Sequence, residues 1–135
     1  MDLGQAPEPT ALAALLRERW IKDPRIDITV EDDYRDERPR LIVRIDRPGS
    51  ARRPRERIQV DITHLRGAAP GHAWPELVDA TDALVGQLAE SDYAYRDLPV
   101  GSDVVFGDGV YWVEVVTTRP DLEAEAEKWL KNGLN

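Results

Sequence analysis

Cysteine is absent from this 135-residue sequence, which excludes disulfides and thiolate metal sites alike. The absence fits a reducing compartment. Histidine is scarce: His64 and His72 are the only two. Zinc needs three or four ligands, and no His-x-x-x-His pair is present to begin such a set. No stretch approaches the roughly 20 apolar residues of a membrane-spanning helix. Met1 to Gln5 contains neither a basic cluster nor a long apolar run, so no secretory signal is expected. Gly101, Gly107 and Gly109 do not fit the phosphate-loop or dinucleotide patterns. Ser50, Ser91 and Ser102 do not lie in a Gly-x-Ser-x-Gly elbow. Positive charge is outnumbered, 18 Lys and Arg against 26 Asp and Glu, for a net −8. That balance argues against a general coat of contacts to nucleic-acid phosphates.

Hydrophobic residues make up 41% and charged residues 33%, which places the chain among folded rather than disordered sequences. The length suits one domain. After a short Pro/Gly lead over residues 1–9, Thr10 is the expected cap of a helix carrying Leu12, Leu15, Leu16 and Trp20 at helical spacing. Asp23-Pro24 ends it. Ile26, Ile28 and Val30 alternate with polar residues and predict a strand with one buried face. An acidic turn is expected from Glu31 to Glu37, then a strand from Leu41 to Ile45.

Arg47 to Arg57 is basic and broken by Pro48, Gly49 and Pro54, which predicts a loop. Ile58, Val60 and Ile62 form the cleanest alternation in the chain. Pro75 suits the first turn of a second helix, with Leu77, Thr81, Leu84, Val85 and Leu88 as its apolar stripe. Segments 104–106 and 110–117 flank Gly107-Asp108-Gly109, a hairpin signal. A final helix is expected over 119–135, capped by Asp121 and lined by Leu122, Ala126, Trp129 and Leu130. The fold class is therefore α+β: a mostly antiparallel sheet of about four to five strands with helices packed on one face.

No catalytic, metal or cofactor site is expected. His64 and His72 are read as surface or loop residues, and Asp61 and His64, three apart in a strand, as lying on opposite faces. The acidic turn lacks the central glycine of a calcium loop and is interrupted by Arg35 and Arg38. A carboxylate pair such as Asp61 with Glu114 is the one constellation an enzyme would need. The expected interface residues are the arginines of the basic loop, Arg47, Arg52, Arg53, Arg55 and Arg57, together with Tyr111, Trp112 and Trp129. Guanidinium groups pair bidentately with carboxylate or phosphate, and Tyr and Trp are enriched at interface hot spots.

The order of elements resembles that of the tail terminator proteins that cap the tail tube of long-tailed, lambda-like phages. The resemblance covers residues 10–118. It runs from the helix at Leu12 to Trp20, through the strand pair Ile26–Val30 and Leu41–Ile45, to Arg57-Ile58-Gln59-Val60-Asp61-Ile62. The helix from Pro75 to Ala89, the Tyr93-Ala94-Tyr95-Arg96 stretch and the closing strand Val110 to Thr117 complete it. It is a likeness of pattern without a signature motif. It implies a non-enzymatic virion protein forming a ring, hexameric in expectation, that ends tube polymerisation at the head-proximal end. The implied partners are other copies of the chain, the tail-tube protein and the head–tail connector, with DNA sliding through an acidic lumen. Two other readings fit the same residues: a neck or head-completion protein of the same virion, and a small acidic cellular binding module.

Overall fold

The computed structural model describes residues 6–49, 51, 55–67, 72–91, 101–107 and 109–118. Seven elements follow one another: α1 (Pro9–Trp20), β1 (Asp27–Arg35), β2 (Arg38–Arg47), β3 (Glu56–Arg66), α2 (Ala73–Glu90), β4 (Ser102–Phe106) and β5 (Gly109–Thr118). The strands form one five-stranded sheet in the order β1-β2-β3-β5-β4, and every neighbouring pair is antiparallel. This is the α+β architecture expected from the sequence. The final helix expected over 119–135 lies outside the described residues, as does the segment 1–5 of the lead.

Period-two alternation decides the two faces of the sheet. Leu41, Val43 and Ile45 of β2, Ile58, Val60 and Ile62 of β3, and Tyr111 and Val113 of β5 all point one way and are almost wholly buried. Leu12 and Leu16 of α1 and Leu77, Ala80, Leu84, Val85 and Leu88 of α2 close over them in a single core. Burying an Ile or Leu side chain of this kind contributes about 1.5–3 kcal/mol. The stripe on α2 is buried as predicted, but Leu15 of α1 is 45% exposed. A helix packed over the rim of a sheet buries a narrower stripe than its apolar residues define.

Several boundaries differ from expectation. The Glu8 side chain caps α1, accepting from the backbone N–H groups of Thr10 and Ala11 at 3.2 and 2.7 Å, in place of a Thr10 cap. The acidic turn is mostly strand. β1 runs to Arg35, and Arg35 pairs with Arg38, so only Asp36 and Glu37 make the turn. Both have positive φ, 52° and 65°, as a type I′ hairpin turn requires. Glu31, Asp32 and Asp33 stand instead on a strand, with Asp33 opposite Arg40 of β2 and Glu31 within ion-pair reach of Arg44. The basic loop is likewise shorter than expected, because Arg47 pairs with Glu56 and Asp46 with Arg57 at the strand ends.

The helices meet through a close contact. Trp20 lays its indole on Gly86, where an added Cβ would sit 2.8 Å from the ring. Its Nε1 donates to Asp82 at 2.8 Å, and Arg19 pairs with the same carboxylate at 2.8 Å while lying over the Trp20 ring. Asp82, outside the apolar stripe in sequence, thus ties α1 to α2.

Candidate functional site

The face of the sheet on which no helix of the described residues packs is polar, as antiparallel sheets with one solvated side commonly are. Four of its arginines hold carboxylates across the strands. Arg35 reaches Glu114 at 2.8 Å, Arg40 reaches Asp33 at 2.9 Å and Asp61 at 4.0 Å, Arg44 reaches Glu31 at 3.0 Å, and Arg57 reaches Asp46 at 2.7 Å. Arg44 also donates to the Gln59 side chain, and Gln59 donates to Asp61. Ile42 points outward amid this network yet is only 4% exposed, in keeping with the aliphatic stems of neighbouring long side chains covering it.

Asp61 and Glu114 do meet: they are direct partners in the β3–β5 ladder. Each faces guanidinium rather than sharing a proton with the other. Hydrogen bonds from Arg35 and from the Trp112 indole hold the Glu114 carboxyl below its ordinary range. A carboxylate stabilised in this way has no proton to give near neutral pH, so Glu114 is unsuited to act as a general acid.

At the end of this face, beside the β1–β2 turn, lies an open recess of about 180 Å³. Arg35, Asp36, Arg38, Thr63, Leu65 and Trp112 line it. Trp112 thus stands on the uncovered face, half-buried, with its indole N–H given to Glu114 at 2.5 Å. Arg38 makes no side-chain hydrogen bond or ion pair among the described residues.

On the opposite face, His64 is 8% exposed and packs edge-on against Tyr111, with ring centroids 5.4 Å apart. Its Nε2 stands 3.8 Å from the Glu76 carboxylate. This corrects the surface or loop reading of His64; a bulge between His64 and Arg66 ends the regular β3–β5 ladder there. His64 and Asp61 do stand on opposite faces. His72 is exposed at the start of α2. Among the described residues no group of three His, Asp or Glu side chains is placed to hold a metal ion.

Tyr111, expected at an interface, is a core residue with 1% exposure. Strand alternation turns it towards α2, where its hydroxyl donates to the Glu76 backbone carbonyl at 3.1 Å. Of the basic-loop arginines, Arg47 is only 18% exposed and lies 3.7 Å from Glu56, itself a buried carboxylate. Arg57 is spent on Asp46, and Arg55 is exposed at the foot of β3. The five arginines therefore do not form one free cluster, because two belong to the strand ladders. Arg52, Arg53 and Trp129 lie outside the described residues. Sequence reasoning missed the recess at Arg35, Arg38 and Thr63, since its lining comes from four separate strands.

Comparison with known protein families, with curated proteins and with solved structures finds no significant match to this chain.

Proposed function

We propose that this chain is a structural assembly protein, the ring-forming subunit that caps the head-proximal end of a long-tailed phage's tail tube. One observation carries the assembly reading. The sheet ends in two different edges, β1 on one side and β4 on the other, and among the described residues no strand pairs beyond either. A closed ring of identical subunits needs two unlike surfaces on opposite sides of the subunit, so that head-to-tail contacts repeat until the circle closes. Exposed strand edges are ready templates for such contacts. The tail-tube assignment comes from the resemblance in element order: helix, three strands, helix, two strands.

The measurement that tests this is mass by light scattering over a concentration series, with and without tail-tube protein. A closed ring of several subunits, alone or on tubes, is expected. A monomer under every condition would reject the reading and point to a cellular binding module. Replacing Arg52, Arg53 and Arg55 with Ser tests the remainder of the basic loop. The expected outcome is weaker partner docking with the fold retained, read by circular dichroism; loss of folding would reject the view of these arginines as a docking arm.

A further inference from the structure

Among the described residues most arginines of the polar sheet face are paired with carboxylates. Arg35, Arg40, Arg44 and Arg57 each hold a carboxylate, whereas Arg38, at the start of β2, holds none. Arg38 lines the recess together with Arg35, Thr63 and Trp112. Thr63 is 3% exposed, and its Oγ1 has no hydrogen-bond partner. Directly across the β2–β3 ladder from Thr63 stands Arg40, whose Nε is also buried without an acceptor. Unsatisfied buried polar groups are rare in folded proteins and call for an explanation. Here two of them, Thr63 Oγ1 and Arg40 Nε, stand side by side, and the exposed Arg38 guanidinium adds further donors. Arg38 and Thr63 thus line the recess with donors that have no partner among the described residues.

We propose that this recess docks a carboxylate side chain, Asp or Glu, of a protein partner. A planar carboxylate accepts two parallel hydrogen bonds from a guanidinium, and Arg38 is free to supply them. Thr63, whose unpartnered hydroxyl belongs to the wall of the recess, is a second donor for the same group. The Trp112 indole and Leu65 give the aliphatic stem of the incoming residue an apolar wall. At about 180 Å³ the recess is smaller than the roughly 300 Å³ at which small-molecule pockets begin, so a side chain fits it and a nucleotide does not. Charge selects the same guest. Asp36 lines the rim, Glu114 and Asp61 lie on the same face, and Asp103 faces Trp112 across the β4–β5 ladder. These carboxylates, in a chain of net −8, repel a polyanionic phosphodiester strand far more than a single carboxylate.

The assembly reading supplies the source of the carboxylate, but the test needs no assembly. The isotope-labelled chain is titrated at constant ionic strength and followed by NMR at the Trp112 indole N–H and the Arg38 side chain. The probes are N-acetylglutamate methylamide, its glutamine counterpart and inorganic phosphate. The glutamate probe is expected to shift both signals saturably, with half-saturation on the order of millimolar for so small a ligand. The glutamine probe and phosphate are expected to bind at least tenfold more weakly, and Arg38→Gln to weaken the glutamate probe at least tenfold. Arg38 is exposed, so the variant keeps its fold, which its unchanged core methyl spectrum verifies. The proposal is overturned by non-saturating shifts, by equal binding in Arg38→Gln, or by tighter binding of phosphate. A chain that binds the probe yet stays monomeric with tube protein would reject the ring and leave the recess standing.

Discussion

Gly86 sits in the interior of α2, where glycine is about 1 kcal/mol less favourable than alanine. On propensity alone, Gly86→Ala stabilises. The packing reverses the sign. An added Cβ would lie 2.8 Å from Trp20 Cζ2 and 2.9 Å from Cε2 and Cη2, well inside the roughly 3.5–4.0 Å of ordinary carbon contact. Overpacking of this kind costs about 1–3 kcal/mol. Moving the ring away also weakens the 2.8 Å bond from Trp20 Nε1 to the Asp82 carboxylate, and hydrogen bonds to charged groups contribute about 1.5–3 kcal/mol. The net expectation is a loss of about 1–2 kcal/mol. In a Trp20→Ala background the obstacle is gone, and Gly86→Ala then stabilises by about 0.5–1 kcal/mol. The four proteins of this cycle, unfolded in urea and followed by far-ultraviolet circular dichroism, should show a coupling of about 2–3 kcal/mol with unchanged m-values. Stabilisation by Gly86→Ala in both backgrounds would refute the reasoning and show that the two helices do not meet through this contact.

Three further outcomes are expected. Glu37→Gly relieves a non-glycine residue held at φ 65° and should raise the unfolding free energy by about 1 kcal/mol in the same assay. A loss instead would mean that the turn is not left-handed at that position. Burial pushes the Tyr111 hydroxyl up to about 12, with the negative charges of Glu76 and Asp79 adding to the effect. Because the folded pKa is the higher one, its contribution to stability is complete below the ordinary tyrosine pKa near 10 and is lost as pH rises from there through about 12. Tyr111→Phe removes that alkaline sensitivity and costs about 1 kcal/mol at neutral pH, measured by denaturation against pH. Glu114 has the opposite sign: the hydrogen bonds from Arg35 and Trp112 lower its pKa, so its contribution is present above the ordinary carboxylate range. It fades as pH falls below about 4.3, and Glu114→Gln should flatten that acid limb by no more than about 1 kcal/mol, since the pair is exposed to solvent.

Much of the fold was legible in the chain because alternation and helical spacing are local properties. Leu41, Val43 and Ile45 announce one buried face, and Leu77, Leu84 and Leu88 announce one buried stripe, whatever surrounds them. The reading failed where local composition and tertiary pairing disagree. Glu31 and Asp33 look like loop residues in isolation. In the sheet Asp33 sits opposite Arg40, Glu31 reaches Arg44 diagonally across the β1–β2 ladder, and the paired charges make a strand of them. Tyr111 and Trp112 are neighbours of similar chemistry, and by residue type both suit an interface. Alternation sends the first into the core and the second to the open face, and only the register of β5 against β3 fixes which is which.

The class of fold, the two described helices, the strands and the hydrophobic set can be read from the chain, because burial of apolar side chains follows a period that can be counted along it. The tertiary structure alone decided what stands next to what. It ordered the strands 1-2-3-5-4, brought Asp61 beside Glu114, and set Arg38, Thr63 and Trp112 around one recess although they come from three strands. Such neighbours are chosen by backbone pairing across long separations. A bond between residues 79 positions apart, as between Arg35 and Glu114, leaves no trace in the local pattern of either.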